Sequence, residues 1–218
     1  KVGAGAMAFD GTGDYFQVSG DASLTFGTGD FTVESWVKLN AVGSTQEIIN
    51  NGGGDFRLTV QSDNTVDWGY TGSLDLMSST TALAADTWYH IAVSRSGSSN
   101  YLFVNGTQED TATISNSYPQ DTITIADDYD HNDTLDGYLD GLRISRSARY
   151  TSAFDAPTTA FTDSINTVLL LNADVNHGTW NPDISTGLAV STDSRMKFDG
   201  DDYLTIPAGS DWAFGTGE

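Results

Sequence analysis

The sequence predicts an all-β protein, a two-sheet antiparallel sandwich. Short runs rich in Val, Ile, Phe, Tyr and Trp are separated every ten residues or so by Gly, Ser, Thr, Asn and Asp, and no stretch keeps a helical period. Twenty-three glycines against four prolines suit a turn-rich β fold. Five Trp and ten Phe supply enough apolar bulk to fill the space between two sheets. A disordered chain would be poorer in aromatics.

Taken in order, the run Phe31 to Leu39 alternates, with Phe31, Val33, Val37 and Leu39 on one face and Thr32, Glu34 and Lys38 on the other. Only the first face is expected in the core. Trp88 to Ser94 and Asn100 to Val104 read as strands, and Asn105-Gly106 after the second is a type I′ hairpin signal leading into Thr107-Gln108-Glu109. Ile114, Ile123, Ile125, Leu139, Leu142 and Ile144 continue the strand pattern.

The 30 acidic residues face 9 basic ones, a formal charge of −21 that makes a nucleic acid partner improbable by repulsion. Most of the acid is Asp, which fits either turn-rich solvated surfaces or life in salty, calcium-containing water. With no cysteine, disulfides and thiolate metal sites are excluded, so stability rests on core burial and on oxygen-bound cations if any. No apolar run approaches the roughly 18 residues of a membrane span, so membrane insertion is not expected. Lys1 to Gly5 lacks a signal-peptide layout and reads like the middle of a longer chain.

An internal repeat organises the chain. Residues 7–30 and 196–218 align with one deletion: Phe9-Asp10-Gly11 with Phe198-Asp199-Gly200, Tyr15 with Tyr203, and Phe26-Gly27-Thr28-Gly29 with Phe214-Gly215-Thr216-Gly217. The expected organisation is therefore a domain at 1–162, a linker at 163–195 and the opening strands of a second copy at 196–218. The linker carries one apolar strand, Val168-Leu169-Leu170-Leu171, which is expected to fill a vacant sheet edge of the first copy.

Five motifs in order, Phe-Asp-Gly-x-x-Asp-Tyr at 9–15, Phe-Gly-Thr-Gly-Asp-Phe-Thr-Val-Glu-Ser-Trp-Val at 26–37, Thr-Trp-Tyr-His-Ile-Ala-Val at 87–93, Leu-Phe-Val-Asn-Gly at 102–106 and Leu-Asp-Gly-Leu-Arg-Ile at 139–144, resemble the concanavalin A-like, laminin-G type 3 jelly rolls. The tail Ser147 to Pro157 is similar to copies found in phage and marine-virus structural proteins. That resemblance implies a jelly-roll sandwich and calcium held at its rim by loop oxygens. On the matching motifs the implied ligands are Asp10 and Asp140, with Asp30 as a third. The loop Asp127 to Asp133 is a second candidate cation site or a plain solvated loop.

Trp68 and Tyr70 form either a sugar-binding aromatic pair or core-facing strand residues. His90, inside a strand, is expected to be packed or hydrogen-bonded rather than catalytic, and Arg143, Arg146 and Arg149 to pair with nearby Asp. Glycoside hydrolysis needs two carboxylates roughly 5–10 Å apart. No strand carries the alternating acids that would place them so. The expected function is non-catalytic recognition of a glycan or cell-surface polymer by a repeated extracellular or virion-surface protein. The alternatives are a structural component assembling by strand pairing with neighbouring repeats or subunits and, less favoured, a hydrolase.

Overall fold

The computed structural model describes residues 1–173, apart from positions 4, 19–21, 53–54, 71–72, 120 and 129–130, together with the segments 190–191, 195–196 and 203–206. The strands are β1 (Met7–Asp10), β2 (Tyr15–Val18), β3 (Phe31–Leu39), β4 (Gln46–Asn51), β5 (Arg57–Val60), β6 (Val66–Tyr70), β7 (Ser73–Ser78), β8 (Trp88–Ser96), β9 (Ser99–Val104), β10 (Thr107–Thr113), β11 (Ile123–Ile125), β12 (Asp136–Ser145), β13 (Thr167–Leu171), β14 (Val190–Ser191), β15 (Arg195–Met196) and β16 (Tyr203–Ile206). Among the described residues a 3-10 turn, Ala22–Leu24, lies between β2 and β3.

Two sheets form the sandwich. The first runs β1-β12-β3-β8-β9-β10 with β13 also on β12, and the second runs β16-β2-β11-β4-β5-β6-β7. Strand pairs are antiparallel except β16 with β2. Period-two alternation places Phe31, Val33, Val37 and Leu39 of β3 in the core, as the sequence pattern implied. Opposite them lie Phe16, Val18, Ile49, Phe56, Leu58, Trp68, Ile123 and Ile125 of the second sheet. Each such side chain contributes about 1.5–3 kcal/mol by leaving water. The aromatic centre of this core is Phe26, Phe31, Phe56, Trp68 and Tyr118.

Local signals act where they were read. Asn105 and Gly106 take φ of 51° and 78° in a two-residue loop joining Val104 to its partner Thr107, as a type I′ turn requires. The edge of β12 is shared end to end, with β1 on Asp136 to Leu139 and β13 on Leu142 to Ser145. The apolar run in the expected linker thus fills an edge of the first sheet. The rest of that linker, from 174 to 189, lies outside the described residues, as does most of 196–218.

One expectation for β3 fails. Its polar face is not solvated, because residues 146–166 return across the outer side of the first sheet as a strap. Tyr150 and Phe154 stack at 3.6 Å, and Phe154 and Phe161 close over His90. Thr32 and Glu34 are consequently buried as fully as the core residues beside them.

Candidate functional site

Two polar clusters stand out, and burial separates their roles. Under the strap, Glu34 is fully buried and gathers four partners. Arg143 donates through Nε at 2.9 Å and Nη2 at 2.7 Å to Oε1, Tyr150 donates its hydroxyl to Oε2 at 2.8 Å, and His90 Nε2 lies 3.2 Å from Oε2. Arg149 Nε approaches Oε1 at 3.7 Å. Burial by itself would raise the Glu34 carboxyl, but the hydrogen bonds and charges of His90 and Arg143 outweigh it and hold the group low. Burial and then the Glu34 charge push the Tyr150 phenol up.

A glutamate, a histidine and a tyrosine in contact have the composition of a catalytic site, yet the strap closes access to them. The cluster is a lock between β3, β8, β12 and the strap. It also explains the sequence motifs at 26–37, 87–93 and 139–144, each of which contributes one member. His90 is hydrogen-bonded and packed, as expected. Arg143 and Arg149 pair with Glu34 rather than with an aspartate, because register sets Arg143 directly across from Glu34.

The second cluster lies at one end of the second sheet, where the β1–β2 turn meets the loop from 126 to 135. Gly11 N donates to Leu135 O at 3.1 Å and the Thr134 hydroxyl to Gly11 O, tying the two loops. Gly11 has φ of 82° and a Cβ there would sit 3.0 Å from that of Asp136, so glycine is needed. Across this junction the His131 ring lies 5.0 Å from Tyr15, tilted by 35°, with a side chain 52% exposed. Its Nδ1 is held by the buried Asp127, whose carboxyl burial raises against the pull of His131.

Further along the same loop, Asp133 lies 3.2 Å from Nη2 of Arg57 on β5, whose Nε donates to Glu47 of β4 at 2.8 Å. Glu47 is fully buried, and this burial pushes its carboxyl up to about 8 despite Arg57 and the Thr59 hydroxyl. Glu47 Oε1 and Asn50 Oδ1 are buried without a hydrogen-bond partner. A neutral Glu47 carboxyl supplies a donor in this neighbourhood, which accords with its raised affinity for a proton. The arrangement offers the half-exposed His131 ring on Tyr15 and, on the same loop, an Arg57 guanidinium that is held by acceptors with only 14% of its side chain exposed.

The sequence-predicted residues fall elsewhere. Trp68 is 0% exposed and stacked on Phe56 at 5.2 Å, so the ligand-platform reading is corrected in favour of the core. Tyr70 ends β6 half-buried, and Trp68 cannot join it in one exposed surface. The three aspartates do not meet either. Asp10, beside Asp136 and Asn40, and Asp30, just before Phe31, sit at opposite ends of β3, roughly 30 Å apart at the strand rise. Asp30 accepts from Gly97 N, Asp140 from Val2 N and Asp10 from Thr12 N. They therefore do not form one calcium site. In the loop, Asp128 accepts from Asn132 N and Asp133 N, and among the described residues no group of three His, Asp or Glu side chains is placed to hold a metal.

The fold and its motifs define a lectin-type β sandwich. The laminin G type 3 family model, described as the concanavalin A-like lectin/glucanases superfamily, matches residues 10–152, and the chain belongs to that family. Among solved structures it is similar to a Bacteroides ovatus protein described as a candidate carbohydrate binder, with a TM-score of 0.65 at 15% identity over 81% of this chain. The match spans 53% of that protein, about half its length. It is also similar to the carbohydrate-binding module of the Ruminococcus gnavus IT-sialidase bound to α2,3-sialyllactose, with a TM-score of 0.50 and 14% identity over 67% of this chain and 92% of the module. The pair of domains LG4-5 of the mouse laminin α1 chain gives 0.50 and 16% over 73% of this chain and 47% of that one. No curated protein matches the chain. Among the described residues no helix is long and apolar enough to cross a membrane.

Proposed function

We propose that the chain is a non-catalytic glycan-recognition module whose site is the rim patch of Tyr15, Arg57, His131 and Asp133. The observation that carries this reading is the half-exposed His131 ring, laid on Tyr15 and fixed at Nδ1 by a carboxylate buried beneath it. A pyranose presents an apolar face edged by hydroxyls, which suits a flat ring with fixed donors and acceptors at its margin. Anchoring by Asp127 and Glu47 means that little side-chain freedom is lost on binding. The structural likeness to carbohydrate-binding proteins is consistent with this reading.

A formal charge of −21 favours neutral over anionic glycans. Repetition of the module within an extracellular or virion-surface protein would convert weak single-site affinity into avidity. The test is binding of the purified chain to a panel of immobilised neutral and sialylated oligosaccharides. Retention of some neutral members, lost in a His131→Ala protein that stays folded, supports the proposal; no retention of any member refutes it.

A further inference from the structure

We infer that the outer edge of β2 is a strand-acceptor surface, and that its occupant is the opening strand of a following copy, paired residue for residue with its own counterpart. The sequence repeat aligns Tyr15 with Tyr203, an offset of 188 that persists to Phe26 and Phe214. In the structure β16 lies parallel to β2 with the register Tyr203 to Tyr15, Leu204 to Phe16, Thr205 to Gln17 and Ile206 to Val18. Each residue thus pairs with the residue that the alignment assigns to it.

Why this edge and this occupant follows from the chemistry of edges. Without β16 the second sheet would end on β2, leaving half of the N–H and C=O groups of a four-residue strand open to any extended chain. A strand with the same polar and apolar order continues that sheet without a change of pattern: Tyr-Phe-Gln-Val is met by Tyr-Leu-Thr-Ile. Parallel pairing requires a long connection, and the 184 residues between positions 18 and 203 supply it.

The ladder geometry adds a constraint on when the contact forms. In a parallel pair in register both strands have the same orientation. The edge of β16 turned toward β2 is therefore the counterpart of the edge of β2 turned toward β11. A following copy that closed its own sandwich would need that same edge for its own counterpart of β11. Pairing with β2 and closure of the following copy are therefore mutually exclusive.

The experiment is residue-resolved amide hydrogen exchange at positions 15–18 in the 218-residue chain and in two variants, Leu204→Pro and Thr205→Pro. Adjacent residues of a strand turn their N–H groups to opposite edges, so one proline deletes a ladder donor facing β2 and the other does not. The expected result is that amides of β2 on the β16 side are protected in the parent chain. One of the two variants accelerates their exchange by on the order of tenfold, the ratio that accompanies loss of one hydrogen bond from the ladder. Thermal unfolding of both variants checks that the sandwich is intact. Exchange of the β16-side amides at open-loop rates in the parent, or equal exchange in all three proteins, overturns the inference.

Discussion

Replacing Glu34 by Gln keeps the shape of the side chain and removes its charge. In the folded protein the Arg143 guanidinium, which holds Glu34 through two donors, and Arg149 at 3.7 Å would then remain buried or half-buried without a counter-charge. Breaking a buried ion pair from one side costs about 3–5 kcal/mol, and a glutamine that keeps part of the hydrogen bonding belongs at the lower end, near 3 kcal/mol. At about 2–4 °C per kcal/mol for a domain of this size, the melting midpoint falls by roughly 6–12 °C. Urea unfolding at neutral pH, monitored by tryptophan fluorescence, measures the same loss as a lower midpoint with unchanged slope. A second variant, Arg143→Met with Glu34→Leu, removes both charges and should recover much of the loss. A Glu34→Gln protein within 1 kcal/mol of the parent, a threshold of about the error expected for an exposed pair, would refute the view that this cluster locks the strap.

Other consequences are as direct. Gly106→Ala places a Cβ 1.9 Å from the carbonyl oxygen of Phe154 at a φ of 78°, so the strap must lift. The expected cost is about 2 kcal/mol or more, read by urea unfolding together with faster exchange of the Phe154 amide, and an unchanged protein would contradict it. The Glu47 carboxyl binds a proton more tightly folded than unfolded. Its contribution to stability is therefore full below the ordinary carboxylate range and is lost as pH rises toward about 8. Glu47→Gln should flatten that decline, and equal pH slopes in the two proteins would dismiss the shift. Glu34 acts in the opposite sense: its carboxyl is held low, so its stabilisation is present above the unfolded value and lost on acidification below it. Calcium in excess over chelator should not raise the melting point through Asp10, Asp30 and Asp140 acting together, since they stand apart; a rise abolished in each of the three single alanine variants would restore a shared site.

The sandwich was legible because its signals are local. Alternation in Phe31 to Leu39 fixed the core face of β3, Asn105-Gly106 fixed a hairpin, and the apolar run at 168–171 fixed an edge strand. Alternation groups Val66, Trp68 and Tyr70 on one side against Asp67 and Gly69, but it cannot say whether that apolar side meets a core or a ligand; the answer lies in Phe56 and Phe31, distant in sequence. The outer face of β3 was misjudged for a related reason. Its cover is a strap more than 100 residues later, whose Tyr150 and Phe154 show no periodicity.

The rim patch depends on contacts between Tyr15 and His131 and between Arg57 and Asp133, which no spacing rule reveals. One compositional signal was available. The chain has only four glutamates, and two of them, Glu34 and Glu47, are buried by the fold against arginine.

The most direct test of the account is titration of the chain with the neutral oligosaccharides it retains from the panel, beside His131→Ala and Tyr15→Ala. Loss of the ring contact, worth about 1 kcal/mol, should weaken each by roughly fivefold or more in Kd in proteins that remain folded at the assay temperature. Binding that is unchanged in both variants would place the ligand elsewhere on the sandwich and contradict the rim site.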